Sequence, residues 1–153
     1  MLNLYPYRLY EHQLPEELCK GIVSISKAEF KKADVYKEGK DVEDSSYRNN
    51  KIKWFNNPEI IEILSVYAEK ANVEANWFFD VDSHEIPQVS SYGQGEFYDW
   101  HIDMGVEKDD DISFRKITVA VNLNDDYEGG EFQIEKWCAP NVRHRQQTIL
   151  KAK

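Results

Sequence analysis

Residues 92–103 read Tyr-Gly-Gln-Gly-Glu-Phe-Tyr-Asp-Trp-His-Ile-Asp, and the last three carry the most chemistry. In a strand or at a strand end, residues two apart project to the same side, so His101 and Asp103 can grip one ion together. One imidazole and one carboxylate supply two corners of the two-histidine, one-carboxylate set that holds Fe(II) with positions open for substrate and oxygen. Alone, His-x-Asp is a short pattern that chance produces often, and a solvated strand end accounts for it equally well. Asp80, Asp82 and His84 also alternate ligand types, but they lack the glycine and terminal Glu of a calcium loop and read as a strand end and turn. Asp109, Asp110 and Asp111 read as a solvated loop that at most shapes access by its charge. No nucleophile elbow, phosphate loop or zinc-type cysteine pair occurs in the sequence. Cys19 falls on the apolar side of a helix and reads as core, Cys138 is uninformative, and Trp54 and Trp77 read as packing aromatics.

Four ordered pieces surround the His-x-Asp pair. Tyr92-Gly93-Gln94-Gly95-Glu96-Phe97 precedes Trp100-His101-Ile102-Asp103. Arg115-Lys116-Ile117-Thr118 opens the next run, and Asn122-Leu123-Asn124 leads to Tyr127-Glu128-Gly129-Gly130-Glu131-Phe132. In order and spacing, over roughly residues 86–135, these resemble the prolyl 4-hydroxylase-like branch of the Fe(II)- and 2-oxoglutarate-dependent dioxygenases. The resemblance implies a double-stranded β-helix, a jelly-roll or cupin-like barrel, with His101 and Asp103 as iron ligands and catalytic residues. It also implies that Tyr92 contacts the far carboxylate of 2-oxoglutarate; without it, Tyr92 reads as an aromatic covering a sheet edge. The implied activity is hydroxylation of a C–H bond, a peptidyl proline among the candidates, coupled to decarboxylation of 2-oxoglutarate to succinate. Fe(II), 2-oxoglutarate and O2 are the implied cofactor and cosubstrates, ascorbate a further one, and the substrate is a peptide, a protein or a small molecule. From alternation alone, Thr118, Ala120 and Asn122 face the same cavity as the ligands, which makes Asn122 a candidate cosubstrate contact.

One part of the family's pattern is not met. A second histidine ligand belongs on a later strand, with a basic residue beyond it for the cosubstrate. After Asp103 the sequence offers only His144, inside the polar run 141–147. Arg143 and Arg145 flank it; their charges oppose a metal, and all three read as solvated loop residues. The expectation is therefore an oxygenase domain whose last barrel strands lie beyond the sequence given. The rival expectation is a non-catalytic or incomplete β-helix binding module that lacks the third iron ligand.

The elements that must position these residues follow from periodicity. Pro15-Glu16-Glu17 suits a helix N-terminus, and Leu18, Ile22 and Ile25 continue an apolar stripe from residue 14 to about residue 30. Residues 37–50 are polar and read as a loop. Asn56-Asn57-Pro58 caps a second helix with Ile60, Leu64, Tyr67 and Ala71 on its buried stripe. From residue 76 the period becomes two: strands are expected over 77–82, 86–92, 97–101, 115–123, 131–135 and 146–152, with turns at 124–130 and an acidic loop at 107–111. The pair Gly129/Gly130 reads as turn chemistry. The result is a single α+β domain, with helical support over 1–75 and an incomplete β-helix core over 76–153.

Composition narrows the remaining choices. The chain has 153 residues, long enough for one domain with a core. Its 28 acidic against 19 basic residues give a net charge of −9, which disfavours nucleic acid as a partner because phosphate contacts need a basic face. No apolar run approaches the length that spans a bilayer, and no export signal opens the sequence. Cytoplasmic location, no membrane partner and reduced thiols are the expectations that follow.

Overall fold

Apolar periodicity and two prolines set the helices. The computed structural model describes residues 7–37, 39–103, 107–108, 111–112, 114–137 and 145–150. Helix α1 (Glu16–Ser26) starts on Pro15, carries Glu16 and Glu17 in its first turn where the helix dipole favours acids, and ends in a 3-10 turn at Lys27–Glu29. Helix α2 (Pro58–Glu74) opens on Asn57, whose side-chain oxygen accepts from the Ile60 N–H at 3.1 Å. The proline N–H missing at the first helical position is one the helix would leave unpaired anyway.

The strands in chain order are β1 (Lys31–Lys32), β2 (Val35–Lys37), β3 (Lys40–Val42), β4 (Arg48–Asn49), β5 (Lys51–Trp54), β6 (Gln88–Ser91), β7 (Phe97–Tyr98), β8 (Glu107–Lys108), β9 (Asp111–Ile112), β10 (Phe132–Trp137) and β11 (Arg145–Leu150). All pair antiparallel, in a three-stranded sheet ordered β1-β5-β6 and four two-stranded ribbons. This is an α+β arrangement of two helices and small sheets, and among the described residues the strands do not close into a double-stranded β-helix.

Only Asn50 separates β4 from β5. Residues 48–54 therefore form one nearly continuous edge, with Lys51 opposite Ser91 and Asn49 opposite Phe97. Residues 92–96 have no counterpart across this edge and leave it as an excursion, closed by Glu96, whose N–H donates to the Gly93 carbonyl and whose carboxylate accepts from the Gly93 N–H. The tyrosine-glycine segment that the sequence singles out is thus a loop between two rungs of one ladder, and the rung beyond it delivers the residues leading to His101.

The helices meet the sheet through a small core. Ile22 of α1, Phe55 after β5 and Ile60 of α2 are buried together, with Leu18, Ile63, Leu64, Val89 and Leu123 packed on them. Each fully buried large apolar side chain stabilises by about 1.5–3 kcal/mol, so these few contacts are what tie α1 and α2 to β5–β6. Cys19 is buried as expected, whereas Ile25 is 61% exposed at the far end of its stripe.

Several expectations from periodicity are corrected. Residues 37–50, expected as a loop, contain the end of β2, β3 and β4; the hairpin's polar side chains at 37, 40 and 41 face solvent while the ladder needs only backbone, Gly39 at φ 83° turns the hairpin, and Arg48 and Asn50 are buried. Residues 77–82, expected as a strand, instead wrap the end of α2: Asn76 and Phe78 have φ 55° and 52°, and the Asn72 side chain holds Phe79 through both its amide atoms at 2.9 Å. Residues 115–123, the sequence's clearest alternation, form no ladder among the described residues. Alternation specifies two faces, but a strand exists only where a neighbour supplies hydrogen bonds. Residues 107–108 and 111–112 pair as a short ribbon rather than a simple loop. Trp54, expected in packing, is 56% exposed. The turn before β10 has Gly129 and Gly130 at φ 77° and 66°, as the glycine pair predicts.

Candidate metal centre

β7 and the segment after it carry the site. Tyr98 stands opposite Arg48 in the β4–β7 ladder, and the pairing runs one residue further, with the Asp99 N–H donating to the Tyr47 carbonyl at 2.9 Å. Tyr47 and Arg48 are themselves delivered by a turn on Asp44, whose carboxylate accepts from the Ser46 N–H at 3.0 Å and whose carbonyl accepts from the Arg48 N–H at 2.8 Å. The chain then leaves the ladder, and His101 folds back so that its Nδ1 lies 2.7 Å from the Asp99 carbonyl oxygen.

That contact fixes the tautomer. A carbonyl oxygen can only accept, so Nδ1 carries the hydrogen, and in the neutral ring Nε2 presents a lone pair. Nε2 faces Asp103 Oδ1 at 3.4 Å, and both side chains are partly exposed. Two acceptors face each other, an arrangement that is stable only with something positive shared between them. A proton is one solution: Asp103 raises the His101 pKa above its ordinary value against the opposing effect of burial, and His101 in turn lowers that of Asp103. A cation is the other. Two ligand atoms on bonds of about 2.1 Å at a right angle lie about 3 Å apart, close to the separation seen. The Nδ1–H bond to a backbone carbonyl is also the usual support of a metal-ligating imidazole.

The surroundings add further groups. The Thr118 hydroxyl lies near Asp103 and helps keep it ionised. Arg115 grips Glu85 with a two-pronged fork, Nε to Oε1 at 2.5 Å and a terminal nitrogen to Oε2 at 2.7 Å, which depresses the Glu85 pKa. Arg115 is also close enough to Asp103 to stabilise its charge. Tyr98 stacks on the His101 ring with centroids 3.7 Å apart and planes 13° apart. Tyr92 stands 49% exposed on the excursion, where burial of its hydroxyl end raises its pKa and the Arg48 charge opposes that rise.

The structure therefore brings together His101, Asp103 and Thr118, with Tyr92 at the side near Arg48 and Tyr98. Asn122 and Ala120 are exposed. Asp80, Asp82 and His84 are exposed on the segment after α2. Among the described residues no group of three or more His, Cys, Asp or Glu comes together as a metal site, and none of the described helices is long and apolar enough to cross a membrane. His144, Arg143, Cys138, Asp109 and Asp110 lie outside the described residues, as does the Arg145 side chain. Sequence reading missed Arg48, Tyr98 and Glu85. Tyr98 alone had a local signal, its place three residues before the histidine; Arg48 sits among polar neighbours that make it look like surface.

Residues 87–150 match the 2OG-Fe(II) oxygenase superfamily, a stretch that covers β6, β7, the His101–Asp103 pair and the β10–β11 ribbon. No curated protein and no solved structure matches the chain. The matched stretch thus supports a dioxygenase-type function that uses Fe(II), 2-oxoglutarate and O2, reached independently of the geometry around His101.

Proposed function

We propose that the protein is an Fe(II)- and 2-oxoglutarate-dependent dioxygenase that hydroxylates a C–H bond, with a prolyl 4-hydroxylase-like site and a peptidyl proline as one candidate substrate. The observation that carries the reading is the Nε2–Oδ1 pair of His101 and Asp103 at 3.4 Å, two acceptors that need a cation between them when the imidazole is neutral. In this reading His101 Nε2 and Asp103 hold the iron, which when bound supplies activation of oxygen against an unreactive C–H bond. Asp99 keeps the imidazole in the ligating tautomer. Thr118 and Arg115 keep Asp103 anionic. Tyr92, on its excursion above the ladder, is a contact for the far carboxylate of 2-oxoglutarate, and Asn122 a second contact. A double-stranded β-helix completes the domain in this reading.

Anaerobic titration of Fe(II) and 2-oxoglutarate into the protein tests it. A visible charge-transfer band that His101→Ala and Asp103→Ala abolish is expected, with succinate formed once oxygen is admitted. No band, or a band that survives His101→Ala, overturns the proposal. A non-catalytic binding module is the second reading, favoured by the lack of a third ligand beside the pair among the described residues; ligand binding without succinate formation selects it.

A further inference from the structure

The His101 ring is constrained on three sides, and only one of them belongs to the His-x-Asp motif. Nδ1 is tied to the Asp99 carbonyl and Nε2 faces Asp103. The third constraint is on the flat face, where the Tyr98 ring lies nearly parallel at 3.7 Å. Two edge contacts leave an imidazole free to swing about the line through them; a ring laid on its face removes that freedom.

Tyr98 is itself held. The Arg48 guanidinium carbon lies 4.4 Å from its ring centroid, and Tyr47 meets it edge-on at 5.8 Å and 87°. Tyr47 in turn donates its hydroxyl to the Trp100 carbonyl at 3.1 Å, which binds the same segment from the other side. Arg48 is only 8% exposed, and three of its nitrogens are engaged: Nε donates to Asn50 Oδ1 at 2.9 Å, one terminal nitrogen to the Asp34 carbonyl at 3.3 Å, and the other to Gln88 Oε1 at 2.5 Å. These acceptors come from the β1–β2 link, the β4–β5 link and β6, so the guanidinium is fixed to the three-stranded sheet and not to the mobile end of a long side chain. All three acceptors are neutral. The charge is thus available to the π-face of Tyr98, the geometry in which a desolvated cation–π contact is strongest.

We propose that Arg48 and Tyr98 are positioning residues that hold the His101 imidazole in its metal-ready orientation, transmitting the rigidity of the β1-β5-β6 sheet to a ligand that itself lies outside any strand. The assignment rests on the reading of His101 as a metal-binding residue. It gives Arg48 no direct contact with cosubstrate, since its nitrogens are turned to the protein and its face to Tyr98. It also explains why a ligand-bearing segment without ladder hydrogen bonds of its own can be ordered: the order is borrowed from a neighbour three residues back.

Two readouts on the whole protein test this. In the metal-free state the His101 ring protons, followed by NMR with labelled histidine, are expected upfield of free histidine because they lie over the Tyr98 ring. Tyr98→Leu is expected to abolish that shift, Tyr98→Phe to keep it, and Arg48→Met to reduce it, with Arg48→Lys restoring part of it through the retained cation. Mn(II) affinity, read from the free-ion EPR signal, is expected to fall about 10- to 100-fold in Tyr98→Leu and Arg48→Met and to stay near wild type in Tyr98→Phe, the range typical for partners of a metal ligand. Unchanged Mn(II) affinity in Tyr98→Leu overturns the proposal, since the ring shift vanishes with the ring whether or not Tyr98 orients the imidazole. If Arg48→Met unfolds, the Tyr98 Leu and Phe pair decides alone. If wild type binds no Mn(II), the metal reading of His101 fails, while a His101 ring shift in Arg48→Met that equals the wild-type value overturns the positioning chain by itself.

Discussion

Replacing Arg48 by Met should destabilise the protein by about 2–6 kcal/mol, a figure that follows from what each of its three acceptors loses. Asn50 is 1% exposed, and its Nδ2 has no hydrogen-bond partner among the described residues. Without Arg48 its Oδ1 has lost the donor at 2.9 Å, and water cannot reach it in the intact fold. That stranded buried acceptor alone costs about 1–3 kcal/mol. The Gln88 side chain is only half-buried and the Asp34 carbonyl lies on an exposed residue, so each recovers water and loses only the net worth of an ordinary hydrogen bond, about 0.5–1.5 kcal/mol. The cation–π contact with Tyr98 contributes about 0.5–2 kcal/mol more, which the buried methionine stem offsets in part. The assay is urea unfolding, where a loss of this size moves the midpoint by about 1–3 M at an m-value of roughly 2 kcal/mol/M. A double-mutant cycle with Asn50→Ala isolates the shared bond: the two changes should be less than additive, because each removes the same contact. A loss below about 1 kcal/mol, or strict additivity with Asn50→Ala, would show that the buried guanidinium network is not what holds β4 to β6.

Two further outcomes follow from local geometry. Asn57→Ala removes the acceptor of the Ile60 N–H at the start of α2 and should cost about 1 kcal/mol, seen as a fall in Tm of about 2–4 °C, whereas Asn57→Ser or Asn57→Asp should recover most of it. The Lys37 ammonium, with help from Ser46, holds the Asp44 carboxyl at a pKa of about 2. A depressed carboxylate contributes above its unfolded pKa and loses that contribution as pH falls through the folded value, so the Asp44 signal should titrate near pH 2 in wild type and move back toward the ordinary carboxylate range in Lys37→Met. An Asp44 signal that titrates alike in both proteins would contradict the pairing.

What could be read in the sequence, and what could not, divides along a physical line. Both helices were legible because their signals are local: Pro15 with two acids, Asn57 before Pro58, and apolar spacing within a single element. The glycines at 129–130 were legible for the same reason, since a positive φ is a property of the residue itself. The pairing of His101 with Asp103 followed from a two-residue spacing. Residues 115–123 show the opposite case, a strong alternation with no ladder among the described residues, because pairing depends on a partner the pattern does not encode. The polar stretch 37–50 failed in the other direction: its charges suggested a loop, yet a hairpin needs only backbone partners and one glycine at φ 83°. Arg48 was invisible because nothing in Tyr-Arg-Asn-Asn says that one arginine among polar neighbours is buried.

The same division bears on how a metal site can be built from so little regular structure. His101 and Asp103 lie beyond the end of β7, and neither belongs to a ladder. Residues in such a position ordinarily sample many rotamers, and a ligand must be held to within a fraction of an ångström to bind a metal well. The molecule resolves this by layers. The hydrophobic contact of Ile22, Phe55 and Ile60 fixes the β5–β6 rungs; those rungs carry Asn50 and Gln88; these two side chains and the Asp34 carbonyl fix Arg48; Arg48 fixes Tyr98; and Tyr98 lies flat on His101. The decisive steps join residues distant in sequence, 40 positions apart for Arg48 and Gln88 and 50 for Arg48 and Tyr98, so the chain could not be read from a motif of three residues. In the proposed reading the His-x-Asp pattern specifies which atoms meet the ion, and the chain from core to imidazole specifies where they stand. A variant that leaves the motif intact but cuts this chain should therefore lose metal affinity without losing either ligand, which is the property that separates a built site from two polar residues that happen to be neighbours.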